Sequence, residues 1–352
     1  MKKVLLLTMV FLMVLSFAFA NGSKEASPAT TVSAEPSGKL VLYTPDFDEE
    51  LNMVVEPFQA KYPKIKIELV QASAGELKTR IKAEAENPQA DVLEGGVFYT
   101  DYVKMADSWE PYVASNNDAY PESMRNNTNG AFTYKTVQIT NLIVNKKLAK
   151  DLGVEIKGYK DLLNPKLKGK IISADPTSSS SAWNQLSTIL SSMGGYESKE
   201  AWDYVEGLIK NLNGILSGSS SAVYKGVLNG EYVVGLTYEA PCVTYIKEGK
   251  GDIIEIVYPE EGTNAIAGGL GIVKNAKNLD NAKLFINFVA SDEMQKIYAA
   301  STVRQANMKI PTTNEYLKPI GEIKLSARDD AYLANHQKEI LEKWSTLWAK
   351  YN

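Results

Sequence analysis

From residue 39 onward the apolar positions follow two alternating rhythms. Lys39-Leu40-Val41-Leu42-Tyr43 is a compact apolar run of the kind that forms a buried strand. Residues 49–61 then carry Leu51, Val54, Val55 and Phe58 on one helical face, and Pro63 closes that helix. Residues 65–70 alternate with period two, as a strand does. Ser73 is placed to cap a helix over 75–86, with Leu77, Ile81 and Ala85 inward. Asn87-Pro88 stops that helix, and a third strand begins at 90–93. The order β-α-β-α-β predicts a parallel sheet with helices on both faces.

The rhythm returns in the middle of the chain. A strand at 170–173 enters Ala174-Asp175-Pro176, and a helix over 181–193 ends at Gly194-Gly195. A helix over 202–212, a brief strand at Ile215-Leu216 and a helix over 221–228 follow. Asn229-Gly230 turns the chain into a strand over 232–238, then a helix near 243–247 and a strand over 253–258. Two α/β units therefore share one chain. VQITNLIV at 137–144 and GGLGIV at 268–273 are the apolar runs that carry it from the first unit to the second and back. Helices over 282–290, 292–300 and 332–351 are expected to pack mainly on the first unit. Lobe 1 is thus 39–136 plus 266–352 and lobe 2 is 137–265. Two hinge crossings join them, and a ligand cleft lies between.

Upstream the pattern changes. Lys2 and Lys3 precede an apolar stretch over 4–17, and Ala18-Phe19-Ala20 has the small-x-small form of a cleavage site. Residues 1–20 read as a secretory signal cleaved after Ala20, which exports the mature protein. No Cys lies near that site to carry a lipoprotein anchor. Residues 21–38, NGSKEASPATTVSAEPSG, have too little apolar bulk to offset their ordering entropy and read as a flexible linker. No later apolar run approaches about 18 residues, so no membrane insertion of the mature form is expected.

Composition narrows the chemistry. The 352 residues are 44% hydrophobic and 23% charged, as in a globular protein of about two domains. Lys+Arg 38 against Asp+Glu 42 gives −4, which argues against a nucleic-acid partner. The single cysteine, Cys242, excludes an intrachain disulfide. The single histidine, His336, argues against His/Cys zinc sites and leaves a Ser-His-Asp triad dependent on one residue. With no G-x-S-x-G motif either, the chain reads as a non-enzyme. The enzymatic alternative is a secreted hydrolase using paired carboxylates such as Glu94 and Glu239.

Binding residues are sought after strand ends, where open α/β sheets hold their ligands. Ser178, Ser179, Ser180 and Ser181 follow one strand and start a helix; Ser219, Ser220 and Ser221 do the same later. Hydroxyls together with free N–H groups at a helix start form an oxyanion pocket, and simple capping needs only one serine. Thr44, Asp46 and Asp48 follow the first strand, Ser73, Gly75 and Glu76 the second, and Glu94-Gly95-Gly96 the third. The two glycines there permit close backbone approach. Tyr238 and Glu239 follow the strand of the second unit. Arg304 is suited to fork onto a carboxylate or phosphate. A hard cation such as ferric iron would take oxygen ligands, for which Tyr238, Glu94 and Glu239 are the candidates. Tyr43, Tyr99, Tyr102 and Tyr224 are further aromatic candidates, while His336 and Cys242 read as structural.

These features together resemble the substrate-binding proteins of bacterial ABC importers, in particular the ferric-ion-binding type and its relatives that bind phosphorylated sugars and other organophosphates. The resemblance covers residue 39 to about 309. It rests on LVLYTPDFDEELNMVVEPFQAKYP, SAGELKTRIKAEAENPQADVLEGG, LLNPKLKGKIISADPTSSSSAW, LSGSSSAVYKGVLNGEYVVGLTYEAP and NAKNLDNAKLFINFVASDEMQ. It implies a type II periplasmic-binding-protein fold, a monomer without a cofactor, and delivery of solute to a membrane permease and its ATPase. Ferric-binding members typically use adjacent tyrosines and often a histidine after the first strand. Here Thr237-Tyr238-Glu239 offers one tyrosine and Thr44-Pro45-Asp46 no histidine. The resemblance therefore implies either ferric iron, alone or with an anion, or an organophosphate as the transported ligand.

Overall fold

The computed structural model describes residues 35–126 and 130–352; the expected export signal at 1–20 and nearly all of the expected linker at 21–38 lie outside the described residues. The first unit opens with β1 (Gly38–Thr44), α1 (Asp48–Lys61), β2 (Ile65–Gln71), α2 (Ala74–Ala83) and β3 (Val92–Phe98). β1 lies between β2 and β3, parallel to both, so the carboxyl ends of all three strands point the same way. Ser73 caps α2 through a full capping box with Glu76. Two short elements, α3 (Tyr99–Lys104) and β4 (Trp109–Glu110), follow β3.

β5 (Thr133–Asn145) makes the first crossing. Its first half, Thr133 to Ile139, pairs with strands returning to the first unit; its second half, Thr140 to Asn145, pairs with strands of the second. The second unit comprises α4 (Lys146–Leu152), β6 (Ile171–Ala174), α5 (Ser180–Ser192), α6 (Lys199–Leu212), β7 (Leu216–Ser217), α7 (Ser220–Leu228), β8 (Val234–Tyr238), α8 (Glu239–Lys247) and β9 (Ile254–Val257). β6 is parallel to β7 and β8. β10 (Ala265–Val273) then returns, antiparallel to both β3 and β5. The chain continues through α9 (Leu279–Ala290), α10 (Asp292–Ala300), β11 (Arg304–Gln305) and α11 (Asp330–Tyr351). The runs at 137–144 and 268–273, expected to carry the chain across, lie within β5 and β10.

Each unit has its own apolar core. Leu40, Leu42, Val54 and Phe58 pack with Phe285, Phe288 and Met294 of α9 and α10, as the sequence led us to expect. The C-terminal helix differs from expectation. Its Leu333, Ile340 and Trp344 are buried with Trp183, Trp202 and Leu208 of the second unit, although the helix also runs beside α3. The reason is complementarity: this stripe, at helical spacing, covers apolar faces of α5 and α6 that would otherwise meet water.

Gly95 and Gly96 lie inside β3 with φ of +78° and +62°. A Cβ on Gly95 would meet Asp46 Oδ1 at 2.2 Å, and one on Gly96 would meet Pro45 Cγ at 2.4 Å. The close approach anticipated at these glycines is therefore made by the Pro45-Asp46 loop, which folds over the strand. Gly95→Ala combines a left-handed backbone with that clash. It should cost about 1–3 kcal/mol in chemical denaturation, and an unchanged midpoint would refute this account.

Candidate functional site

A cavity of about 490 Å³ lies between the two units, at the carboxyl ends of their parallel strands. The first unit contributes Thr44, Asp46 and Ser73 to its wall, and the second contributes Ser179, Ser180, Ser181, Ser219, Ser220 and Ser221. Most of the residues singled out after strand ends, Tyr238 among them, therefore meet in one place.

The two serine clusters are built alike. Ser179 caps α5, accepting from Ala182 N at 3.4 Å, and its Oγ lies 3.3 Å from Ser181 Oγ. Ser219 caps α7, accepting from Ala222 N at 3.4 Å, and its Oγ lies 3.1 Å from Ser221 Oγ. Each helix start therefore presents a capping hydroxyl and a second hydroxyl two residues on, at the positive end of a helix dipole. Lys225, one turn along α7, adds a full positive charge to the cavity wall. This arrangement suits an oxyanion with several acceptor atoms.

The opposite wall is acidic and centred on a residue the sequence reading missed. Lys135 on β5 is 1% exposed. Its Nζ lies 2.5 Å from Asp46 Oδ2, 2.6 Å from Glu94 Oε1 and 3.4 Å from Glu50 Oε1. Thr44 Oγ1 donates to the other oxygen of Glu94 at 3.1 Å and accepts from Asp46 N at 3.1 Å. The signal lay in the alternation. Thr133, Lys135, Val137 and Ile139 share the buried face of β5, while Thr136 and Gln138 face the cavity. Beginning the strand at Val137 excluded the lysine. Glu50 falls one helical turn before Val54 on the buried face of α1, which was likewise readable.

Three carboxylates around one ammonium leave excess negative charge in a buried place. Burial, reinforced by the charge on Asp46, pushes the Glu50 carboxyl up to about 8. Burial also pushes Glu94 up to about 7, against the pull of Lys135. Burial disfavours the ammonium of Lys135, but Asp46 and Glu94 outweigh it, and Lys135 holds its proton more tightly than a free lysine.

Several anticipated contacts lie elsewhere. Glu94 is fully buried beneath the cavity and committed to Lys135. Glu239, at the start of α8, receives Arg304 Nε and Nη2 at 2.7 Å each and the Tyr258 hydroxyl. Arg304 thus forks onto a carboxylate of its own chain instead of lining the cavity. Ser178 does not line it either; its hydroxyl turns back to Asp175 O at 3.5 Å. Glu94 and Glu239 each serve a separate buried cation, so they do not form the paired acid and base of a hydrolase.

The tentative metal set is likewise dispersed. Among the described residues no three of His, Cys, Asp and Glu are grouped to hold a metal ion. Tyr238 does line the cavity, beside Tyr224 with ring centroids 6.4 Å apart. Burial, and then Tyr224, hold the Tyr238 phenol well above its usual pKa, which opposes phenolate formation in the protein alone. Tyr43 is a core residue whose hydroxyl meets Glu84. Tyr99 and Tyr102 pair with each other on α3, outside the cavity wall. His336 stacks on Tyr332 within α11, and Cys242 is buried with its thiol pushed up to about 12.

Two α/β lobes, two crossing strands and a polar cleft at the strand ends define a type II periplasmic binding protein. The chain belongs to the bacterial extracellular solute-binding protein family, whose profile matches residues 53–318. A Haemophilus influenzae protein described as uncharacterized is 30% identical over 295 residues, covering 80% of this chain and 82% of its own. Iron uptake protein A1 of Synechocystis is 28% identical over 286 residues, 74% of this chain and 73% of its own. Among solved structures, the periplasmic binding protein AfuA from Actinobacillus pleuropneumoniae, with fructose-6-phosphate bound, is 27% identical. The match covers 89% of this chain and 99% of that one, with a TM-score of 0.78.

Two outcomes follow from the charge cluster. Glu50 and Glu94 bind their protons more tightly folded than unfolded, where the value is 4.5. The stability this contributes is complete below about pH 4.5 and is lost as pH rises through about 7 to 8. A melting temperature that falls across about pH 5 to 8, and falls less in Glu50→Gln, is expected. Lys135→Met leaves buried carboxylates without their cation. It should cost about 3–5 kcal/mol in urea unfolding at neutral pH.

Proposed function

We propose that the protein is the periplasmic solute-binding component of an ABC importer and that its cargo is a small phosphorylated molecule such as a sugar phosphate. The observation that carries this reading is the pair of doubled serine caps, at the starts of α5 and α7, facing one cavity. A phosphate ester offers several acceptor oxygens and negative charge, which match hydroxyl donors, helix N-termini and Lys225. The remainder of such a molecule would face the acidic wall, where Asp46, Asp48 and Glu50 accept hydrogen bonds from hydroxyls. The identity to AfuA, whose structure holds fructose-6-phosphate, supports the same class.

In this reading the solute enters between open lobes, closure removes water from its charge, and the closed monomer docks on the permease and its ATPase. The proposed moving bodies are 39–136 with 266–329 on one side and 137–265 on the other. Helix α11 rides on the latter, where its apolar stripe is buried. No catalytic step is assigned and no cofactor is required.

Ferric iron is the second reading. It is favoured by the 28% identity to Iron uptake protein A1 and by two tyrosines, Tyr224 and Tyr238, at the cavity wall. There the metal would displace the Tyr238 proton, and an exogenous anion would take the serine-lined helix starts.

A thermal-shift panel of fructose-6-phosphate, other sugar phosphates, ferric citrate, and ferric ion with phosphate separates the two. A raised melting temperature with a sugar phosphate is the expected result. Hydrogen bonds from neutral hydroxyls to a charged oxygen are worth about 1.5–3 kcal/mol. Ser181→Ala and Ser221→Ala, which leave both caps in place, should therefore each weaken binding about tenfold or more by titration calorimetry. A visible charge-transfer band on iron addition, lost in Tyr238→Phe, would transfer the assignment to iron. Silence across the whole panel would reject both ligands.

A further inference from the structure

Lys78 is on α2, in the first lobe, and does not line the cavity. Its Nζ lies 2.6 Å from Asp101 Oδ1 on α3 and donates to Ser180 Oγ at 2.8 Å. Ser180 is the first residue of α5, in the second lobe. Asp101 is anchored in its own lobe, where its other oxygen accepts from Phe98 N at 3.1 Å. The Lys78–Asp101 pair is 15% and 12% exposed, so it is shielded well enough to matter energetically. One half of this arrangement therefore stays within the first lobe, and the other half spans the cleft and exists only when the lobes meet.

A second contact lies one turn earlier on the same helix. A Cβ placed on Gly75 would meet Ser178 O at 2.4 Å, backbone against backbone. Gly75 has ordinary helical geometry, so the residue answers to space and not to an unusual φ. The first turn of α2 thus presses directly on the turn that leads into α5. The location of Lys78 also has an electrostatic consequence. An ammonium beside a helix N-terminus meets the positive end of its dipole. Asp101 offsets part of that repulsion, and negative charge arriving at the start of α5 would offset the rest.

We propose that Lys78, held by Asp101, is an interlobe clasp: its bond to Ser180, with the bare Gly75–Ser178 approach, holds the cleft shut and sets how long a bound solute stays. Lys78 acts through Ser180 and is a positioning residue, not a ligand contact. The clasp serves any cargo. Its tightening by an anion at α5 rests on the phosphorylated-ligand reading above.

Nitroxides introduced at Glu86→Cys and Glu200→Cys, both exposed positions, report the interlobe distance by double electron resonance, with the native Cys242 buried. Without any ligand, Lys78→Met and Gly75→Ala should each shift the distribution to longer distances, and Lys78→Arg should restore it. Circular dichroism melts identify any variant that fails to fold. Identical distributions in folded variants overturn the proposal. With fructose-6-phosphate in stopped flow, both variants should release ligand about tenfold faster with an unchanged association rate. Slower association with a weakened salt dependence in Lys78→Met, with Gly75→Ala unaffected, would make Lys78 a steering charge and overturn the clasp. If wild-type protein binds no sugar phosphate, the ligand reading fails, while the ligand-free distances still decide the clasp.

Discussion

The ammonium of Lys135 draws three carboxylates from three parts of the first lobe onto one crossing strand. Asp46 comes from the loop after β1, Glu50 from the first turn of α1 and Glu94 from within β3. A charge so deeply buried is tolerable only with partners, and the carboxylates in turn depend on it. The Pro45-Asp46 loop reaches the ammonium by lying across β3, which is open to it because Gly95 and Gly96 have no side chains there. The floor of the cleft, the first loop and the hinge strand are therefore parts of one electrostatic unit. Motion of β5 at the hinge must carry this unit along or break it.

The same unit gives the cleft its polarity. One wall is rich in acceptors and carries partly protonated carboxyls; the other presents hydroxyls, helix N-termini and Lys225. A solute that matches both walls has a negative end and a donor-rich end. Closure strengthens both sets of contacts because it removes the water that competes for them. The Lys78 bridge lies beside the same helix start, so capture and closure converge on α5. On the far side, the Arg304–Glu239 pair ties β11 to α8 and is wholly occupied by its own chain.

Much of the scaffold was legible in the chain. Helices and strands of the two units fall close to their periodic patterns, because each pattern is a local consequence of which positions must face a core. The serine clusters were legible for a related reason, since capping is decided within a few residues. Lys135 and Glu50 were recoverable in principle from their buried register, but a lone charge on an apolar face says nothing of its partners. Glu239 and Glu94 looked like ligand contacts because they follow strand ends, and Arg304 because its guanidinium suits an anion, yet each found a closer partner from a distant segment.

The sequence by itself determined the two α/β rhythms, the crossing strands, the helix starts that face the cleft and a chemistry resting on oxygen donors. Those follow from local periodicity, capping and composition. Only the tertiary structure decided which charges cancel one another, that α11 covers the second lobe, and that α2 meets α5 across the cleft. These depend on distances between residues that lie far apart along the chain. Ion pairing and apolar coverage act through space, so spacing along the chain does not encode them.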